Sequence, residues 1–130
     1  MKYLELDEVL RIHERLIIQY GGSFGVLNQG ALESALAAPQ QTMFGQDLYP
    51  EIASKAAILF YLFIKNHAFM DGNKRTGFAC LIRCLNVNGY VLNAAGDELY
   101  QFTMDVATSV LDKEHVTEWI TERTNHRRAI

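Results

Sequence analysis

Several things this sequence has little of bound it before any motif is read. Only two cysteines occur, Cys80 and Cys84, four apart inside a helical pattern. That spacing puts both on one helix face, where regular geometry does not favour a disulfide, so they read as two small buried apolar residues. A metal pair there would need further ligands, and none can be placed. Long apolar runs are missing: the longest, residues 56–64, lies between Lys55 and Lys65 and is nine residues long, against about 20 for a membrane span. The start, "MKYLELDEVL", lacks the form of a signal peptide, and the expected location is the reducing cytoplasm. Excess charge is absent as well. A net charge of -3 gives no general footprint for nucleic acid or an anionic membrane, so neither is expected as a partner. The one basic cluster, Arg123, Arg127 and Arg128, reads as a solvated helix end, where cations suit the dipole. Repeats, low-complexity tracts and linkers are lacking too.

What is present is ordinary globular composition. A chain of 130 residues, 49% hydrophobic and 21% charged, is long enough for one core and too apolar for wholesale disorder. One domain, residues 1–130, is the expectation. Asp7 can cap a first helix on which Val9, Leu10, Ile12, Leu16, Ile17 and Tyr20 recur at helical spacing, with Gly21-Gly22 as its stop. His13 falls on the same face and reads as a core-edge histidine, with a ligand role as the alternative. Asn28 can cap a second, short helix that ends at Pro39. Residues 40–50, "QQTMFGQDLYP", have no helical period and a central glycine, and read as a loop or short hairpin. Pro50 suits the first turn of the next helix, residues 51 to about 66, which is apolar almost all round and therefore central. A second apolar helix runs from about 73 to 88, with Gly89 its stop. Another starts near Asp97 with Leu99, Phe102, Val106 and Val110 on one face. Asp112 caps a last one, with Val116, Trp119 and Ile120 facing inward. No long strand is evident, so the expected fold is an all-α, compact helical bundle, with room for one small hairpin.

Between the two most apolar helices lies "KNHAFMDGNKRTG", residues 65–77. A loop held by rigid elements is a usual place for function. Gly72 and Asn73 permit a tight, partly left-handed turn that points the unpaired N–H groups of the next helix inward. Lys74 and Arg75 add two cations at that end, which is unfavourable for the helix unless an anion occupies the site. A phosphate is the natural candidate. Asp71 alone would repel it, whereas with Mg²⁺ between them the carboxylate becomes a ligand. His67 can accept a hydroxyl proton. A base, a metal ligand, an anion-binding turn and two cations are the parts of phosphoryl or nucleotidyl transfer. Taken singly, each residue has a plainer role: His67 as a helix C-cap, Asp71 and Gly72-Asn73 as turn residues. Their concentration between two buried helices is what favours the functional reading. A His67/Asp71 zinc pair would need a third ligand, and none is evident. Phe69 reads as an anchor packed under the loop.

"HAFMDGNKR" resembles the signature of the Fic/Doc superfamily: a histidine, a phenylalanine two on, an acidic residue two further, then a glycine-asparagine turn and an arginine. Lys74 is what the death-on-curing (Doc) branch has, where Fic proteins have glycine. "IHERLIIQYGG", "GALESALAAPQ" and "LYPEIASKAAILFYLFIKNHAF" look like Doc toxins too, so the resemblance covers at least residues 1–90. It implies the all-helical Fic fold and the toxin half of a toxin–antitoxin pair, a protein kinase that moves the γ-phosphate of ATP to a threonine or serine of a translation factor, elongation factor Tu first, and so stops translation. It also implies roles. His67 matches the general base and Asp71 the Mg²⁺ ligand. Gly72 and Asn73 match the anion-binding turn, and Lys74 and Arg75 the phosphate-binding cations. Residues 40–50, with Thr42, Met43, Phe44 and Gly45 at their centre, match the flap that holds a target segment by main-chain pairing.

The sequence also departs from the Fic pattern. Phe78 stands where Fic adenylyltransferases usually carry a second arginine, and Lys74 fills space that a Fic site gives to the outer phosphates. Both count against AMP transfer, which stays as the alternative reaction. A Ser/Thr-x-x-x-Glu-Gly/Asn self-inhibitory segment is not found, so restraint is expected from a cognate antitoxin docking a helix into a surface groove. A catalytically silent, antitoxin-binding protein is the third possibility, disfavoured by the intact motif.

Overall fold

The computed structural model describes residues 1–127, and Arg128 of the basic cluster lies outside them. Among the described residues the chain forms six α-helices and two small antiparallel sheets. The helices are α1 (Leu6–Tyr20), α2 (Gln29–Ala37), α3 (Ile52–Asn66), α4 (Asn73–Val87), α5 (Gly96–Ala107) and α6 (Lys113–Arg123). A 3₁₀ turn, Ala38–Gln40, follows α2. The strands are β1 (Thr42–Met43), β2 (Gln46–Asp47), β3 (Tyr90–Leu92) and β4 (Thr124–His126). None of the helices is long and apolar enough to cross a membrane. This is the all-α architecture that the apolar spacing predicts.

The most apolar helix is the hub. Ala56, Ala57, Leu59, Phe60, Phe63 and Ile64 of α3 are buried, and α2, α4, α5 and α6 all pack against it. Its closest neighbour is α4. A side chain on Gly77 would stand 3.0 Å from Ile64 Cδ1 and 3.1 Å from Phe63 Cβ, so the absence of one lets the two helices approach. On the far side, Phe60 stacks on Phe102 of α5 at 5.3 Å between ring centroids, and Phe102 on Trp119 of α6 at 3.8 Å. Cys80 and Cys84 are free and buried, as their spacing suggested.

Helix ends follow local chemistry. Asn28 caps α2 by accepting from Ala31 N–H at 2.9 Å, and Asp112 caps α6 by accepting from His115 N–H at 2.9 Å. The hairpin β1–β2 turns at Phe44 and Gly45, both at positive φ (52° and 77°), the backbone pattern of a primed hairpin turn. Asp47 of β2 reaches the ammonium of Lys55 at 3.4 Å, and that buried ammonium also donates to Pro39 O at 2.9 Å.

Several expectations change. The cap of α1 is Glu5, and Asp7 sits within the first turn, paired with Arg11. Pro50 lies outside α3, because Glu51 is the N-cap and its N–H donates to Ser54 Oγ at 3.1 Å. Val110 does not continue the apolar face of α5: Ser109 adopts φ 64° past the helix end, leaving Val110 exposed. Arg123 is no mere solvated end. It stacks over Trp119 at 4.0 Å and bonds Glu98 at 3.0 Å. The β3–β4 pair was not foreseen, since its segments are three residues each and mostly polar or half-buried. Arg127 N–H donates to Gly89 O (2.8 Å) and Lys2 exchanges two hydrogen bonds with the Asn88 side chain (2.7 and 2.9 Å), so residues 2 and 124–127 gather at the C-terminal end of α4.

Candidate active site

The polar turn is built by the helices on either side of it. α3 stops because His67 takes a left-handed conformation (φ 46°, ψ 54°) as its C-cap. α4 starts because Gly72, also left-handed (φ 74°, ψ 19°), is its N-cap. Between them Ala68 and Phe69 turn into the core, with Phe69 fully buried. Asn73 then clamps the loop. Its Oδ1 accepts from Phe69 N–H and its Nδ2 donates to Phe69 O, both at 2.9 Å.

A strap of residues 21–27, which follows α1, closes the other side. Leu27 and Asn28 N–H donate to Ala68 O at 2.8 and 3.1 Å, Met70 N–H donates to Gly25 O at 2.9 Å, and Val26 bridges Phe69. The same strap holds Asp71. Ser23 N–H donates to Asp71 Oδ2 at 3.2 Å and Gly72 N–H to Oδ1 at 2.8 Å. Gly22 makes room for that approach: a Cβ there would stand 2.7 Å from Asp71 Oδ2. A carboxylate has about four lone-pair sites, so capacity remains for a cation.

The first bond inside α4 runs from Thr76 N–H to Gly72 O at 2.9 Å. The N–H groups of Asn73, Lys74 and Arg75 therefore have no acceptor within the helix, which is the setting in which a helix start binds an anion. The Arg75 guanidinium lies 5.0 Å over the Tyr20 ring and donates to Gly21 O at 3.4 Å. His67, Met70, Asp71, Gly72, Asn73, Lys74 and Arg75 together line a hollow of about 290 Å³. Lys74 and Arg75 also line a second, mainly apolar cleft of about 320 Å³, walled by Phe78 of α4 and by Leu99, Tyr100 and Met104 of α5.

Thus the structure brings His67, Asp71, Gly72, Asn73, Lys74 and Arg75 to one hollow, with Phe69 as the buried anchor beneath. At Asn73 the amide clamps Phe69, and the backbone N–H is what the helix start offers a ligand there. Thr42, Met43, Phe44 and Gly45 form the exposed hairpin and line no part of the hollow. The donor set suits Mg²⁺ carried with a phosphate, since that ion takes one or two carboxylates plus phosphate oxygens. No group of three or more His, Cys, Asp or Glu side chains able to hold a metal occurs among the described residues. Sequence reasoning missed Gly22, Ser23 and Tyr20, and read His13 first as core edge. The Gly21-Gly22 pair was the available signal, and a helix stop accounted for it.

A family model described as "Fic/DOC family" matches residues 3–85, which include every residue of the hollow. Toxin Doc of Mycolicibacterium smegmatis is 41% identical over 96 residues, 74% of this chain and 72% of that protein. Protein kinase doc of Escherichia phage P1 is 25% identical over 118 residues, 91% of this chain and 92% of the relative.

Proposed function

The chain belongs to the Fic/DOC family, and on that premise we propose that it is the toxin of a toxin–antitoxin pair, acting as a protein kinase. The reaction moves the γ-phosphoryl group of ATP to a threonine or serine hydroxyl of a translation protein, with elongation factor Tu the first target to try. The observation that carries this reading is the single hollow that joins His67, Asp71, the free N–H groups at the start of α4 and two cations.

In this reading the phosphate oxygens lie against the N–H groups of Asn73, Lys74 and Arg75, with the two side-chain cations balancing their charge. Asp71 would hold a magnesium ion, which when bound neutralises charge on the phosphate oxygens. His67 takes the proton from the target hydroxyl, whose oxygen forms a bond to phosphorus as the bond from phosphorus to the ADP oxygen breaks. The apolar cleft that shares Lys74 and Arg75 offers aromatic and aliphatic walls to the nucleoside. Half-buried Phe78 in that wall leaves no second arginine there, which supports phosphoryl over AMP transfer. The exposed hairpin would hold the target by its backbone, and a separate antitoxin would restrain the enzyme.

The test is intact mass of elongation factor Tu after incubation with the protein, Mg²⁺ and ATP. A gain of one phosphoryl group is expected, lost with His67→Ala by about 10²- to 10⁴-fold in rate. A gain of one AMP would move the protein to nucleotidyl transfer, and an alanine variant as active as the native protein would remove His67 from the mechanism.

A further inference from the structure

One buried titratable side chain outside the hollow is aimed at its floor. His13, on α1, is 4% exposed and lies among the core side chains. Its ring stacks on Phe69 with 3.8 Å between centroids and 7° between planes. Its Nε2 lies 2.8 Å from the backbone oxygen of Asp71. A carbonyl can only accept, so Nε2 carries the proton and donates.

These two contacts do different things. The stack supports Phe69 and is ordinary packing. The hydrogen bond grips the peptide group of the one carboxylate in the hollow, from below. Ser23 and Gly72 N–H fix that carboxylate from the strap and the helix start. With its carbonyl and both oxygens tied, Asp71 has one placement. Release of the carbonyl frees the Asp71–Gly72 peptide to rotate, and the carboxylate moves with it.

We propose that His13 is a positioning residue for Asp71, and that its bond to the Asp71 carbonyl sets the affinity of the hollow for a divalent cation carried on a nucleoside triphosphate. This rests on the reading of Asp71 as the cation ligand. A bond that orients a metal ligand is worth about 10- to 100-fold in metal affinity in other sites.

The test needs no turnover. Mn²⁺ binding in the presence of a non-hydrolysable ATP analogue is followed by electron paramagnetic resonance for wild type, His13→Phe, His13→Gln and Asp71→Asn, with a thermal melt of each. His13→Phe keeps an aromatic ring on Phe69 and loses the donor, so it is expected to melt as a folded protein and to bind Mn²⁺ at least about tenfold more weakly. His13→Gln keeps a donor and loses the ring, and is expected to bind within about threefold of wild type. A folded His13→Phe with wild-type affinity overturns the inference alone. A folded His13→Gln as weak as Asp71→Asn overturns it as well, even where the phenylalanine variant fails to fold. A wild-type protein that binds no Mn²⁺ overturns the reading of Asp71 and this inference together.

Discussion

Cys80 and Cys84 face the core from α4, and burial decides their chemistry. Burial, aided by the charge of Glu8 and the neighbouring Cys84, pushes the Cys80 thiol up to about 12. Burial likewise pushes the Cys84 thiol up to about 11, against a lowering pull from Lys55. Both are therefore neutral and unreactive near pH 8, since the thiolate is the nucleophile. A colorimetric thiol reagent at that pH should label neither in the native protein and both after unfolding. The same shift has a sign in stability. In the unfolded chain these thiols ionise near 9.0, so they cost nothing below pH 9 and favour unfolding as pH rises from there toward 11 to 12. Urea midpoints across that window should fall less steeply for Cys80→Ala than for the native chain. At this scale the sequence exposes only what is local. The seven residues that line the hollow lie within nine positions and could be read together. Ser23 and His13 meet Asp71 across 48 and 58 residues, and no periodicity encodes such a meeting.

At the scale of elements, the spacing of apolar residues gave the helices, and capping chemistry gave those ends where a side chain does the capping, as at Asn28 and Asp112. It misled where backbone or a neighbour decides the end, as at Asp7 and Val110. The β1–β2 hairpin depends on a tie that no local pattern shows. Lys55 is buried in α3, and its ammonium is answered by Pro39 O, by half-exposed Asp47 and, at 5.8 Å, by the face of the Tyr3 ring. Removing Asp47 leaves a charge in the core with one carbonyl and the Tyr3 ring but no counter-charge, whereas removing the lysine frees a carboxylate that water can reach. Asp47→Ala should therefore cost more stability than Lys55→Met, about 1–2 kcal/mol after allowance for the exposure of Asp47. Amide exchange of Met43 and Gln46 should quicken in both. The reverse order of the two costs would mean that the hairpin is held by something else.

At the scale of the whole molecule, α3 gathers α2, α4, α5 and α6 around it, and that much was legible, because a helix apolar on all sides can only be central. Phe60 is fully buried at the point where α3 meets α5. Phe60→Ala should lower stability by about 3–5 kcal/mol in urea titration, with α5 and α6 loosened along with α3 in a single transition. The small β3–β4 sheet has a practical meaning of its own. It ties residues 124–126 to the C-terminal end of α4, where Asn88 also holds Lys2, while the candidate active site opens at the N-terminal end. With 15 residues in that helix, and a rise of about 1.5 Å per residue, the two ends stand about 22 Å apart. A biotin or fluorophore attached at exposed Asn125 of β4 would therefore stand at the pole opposite the hollow. Such a label could anchor the protein to a biosensor chip with its reactive mouth facing the solution.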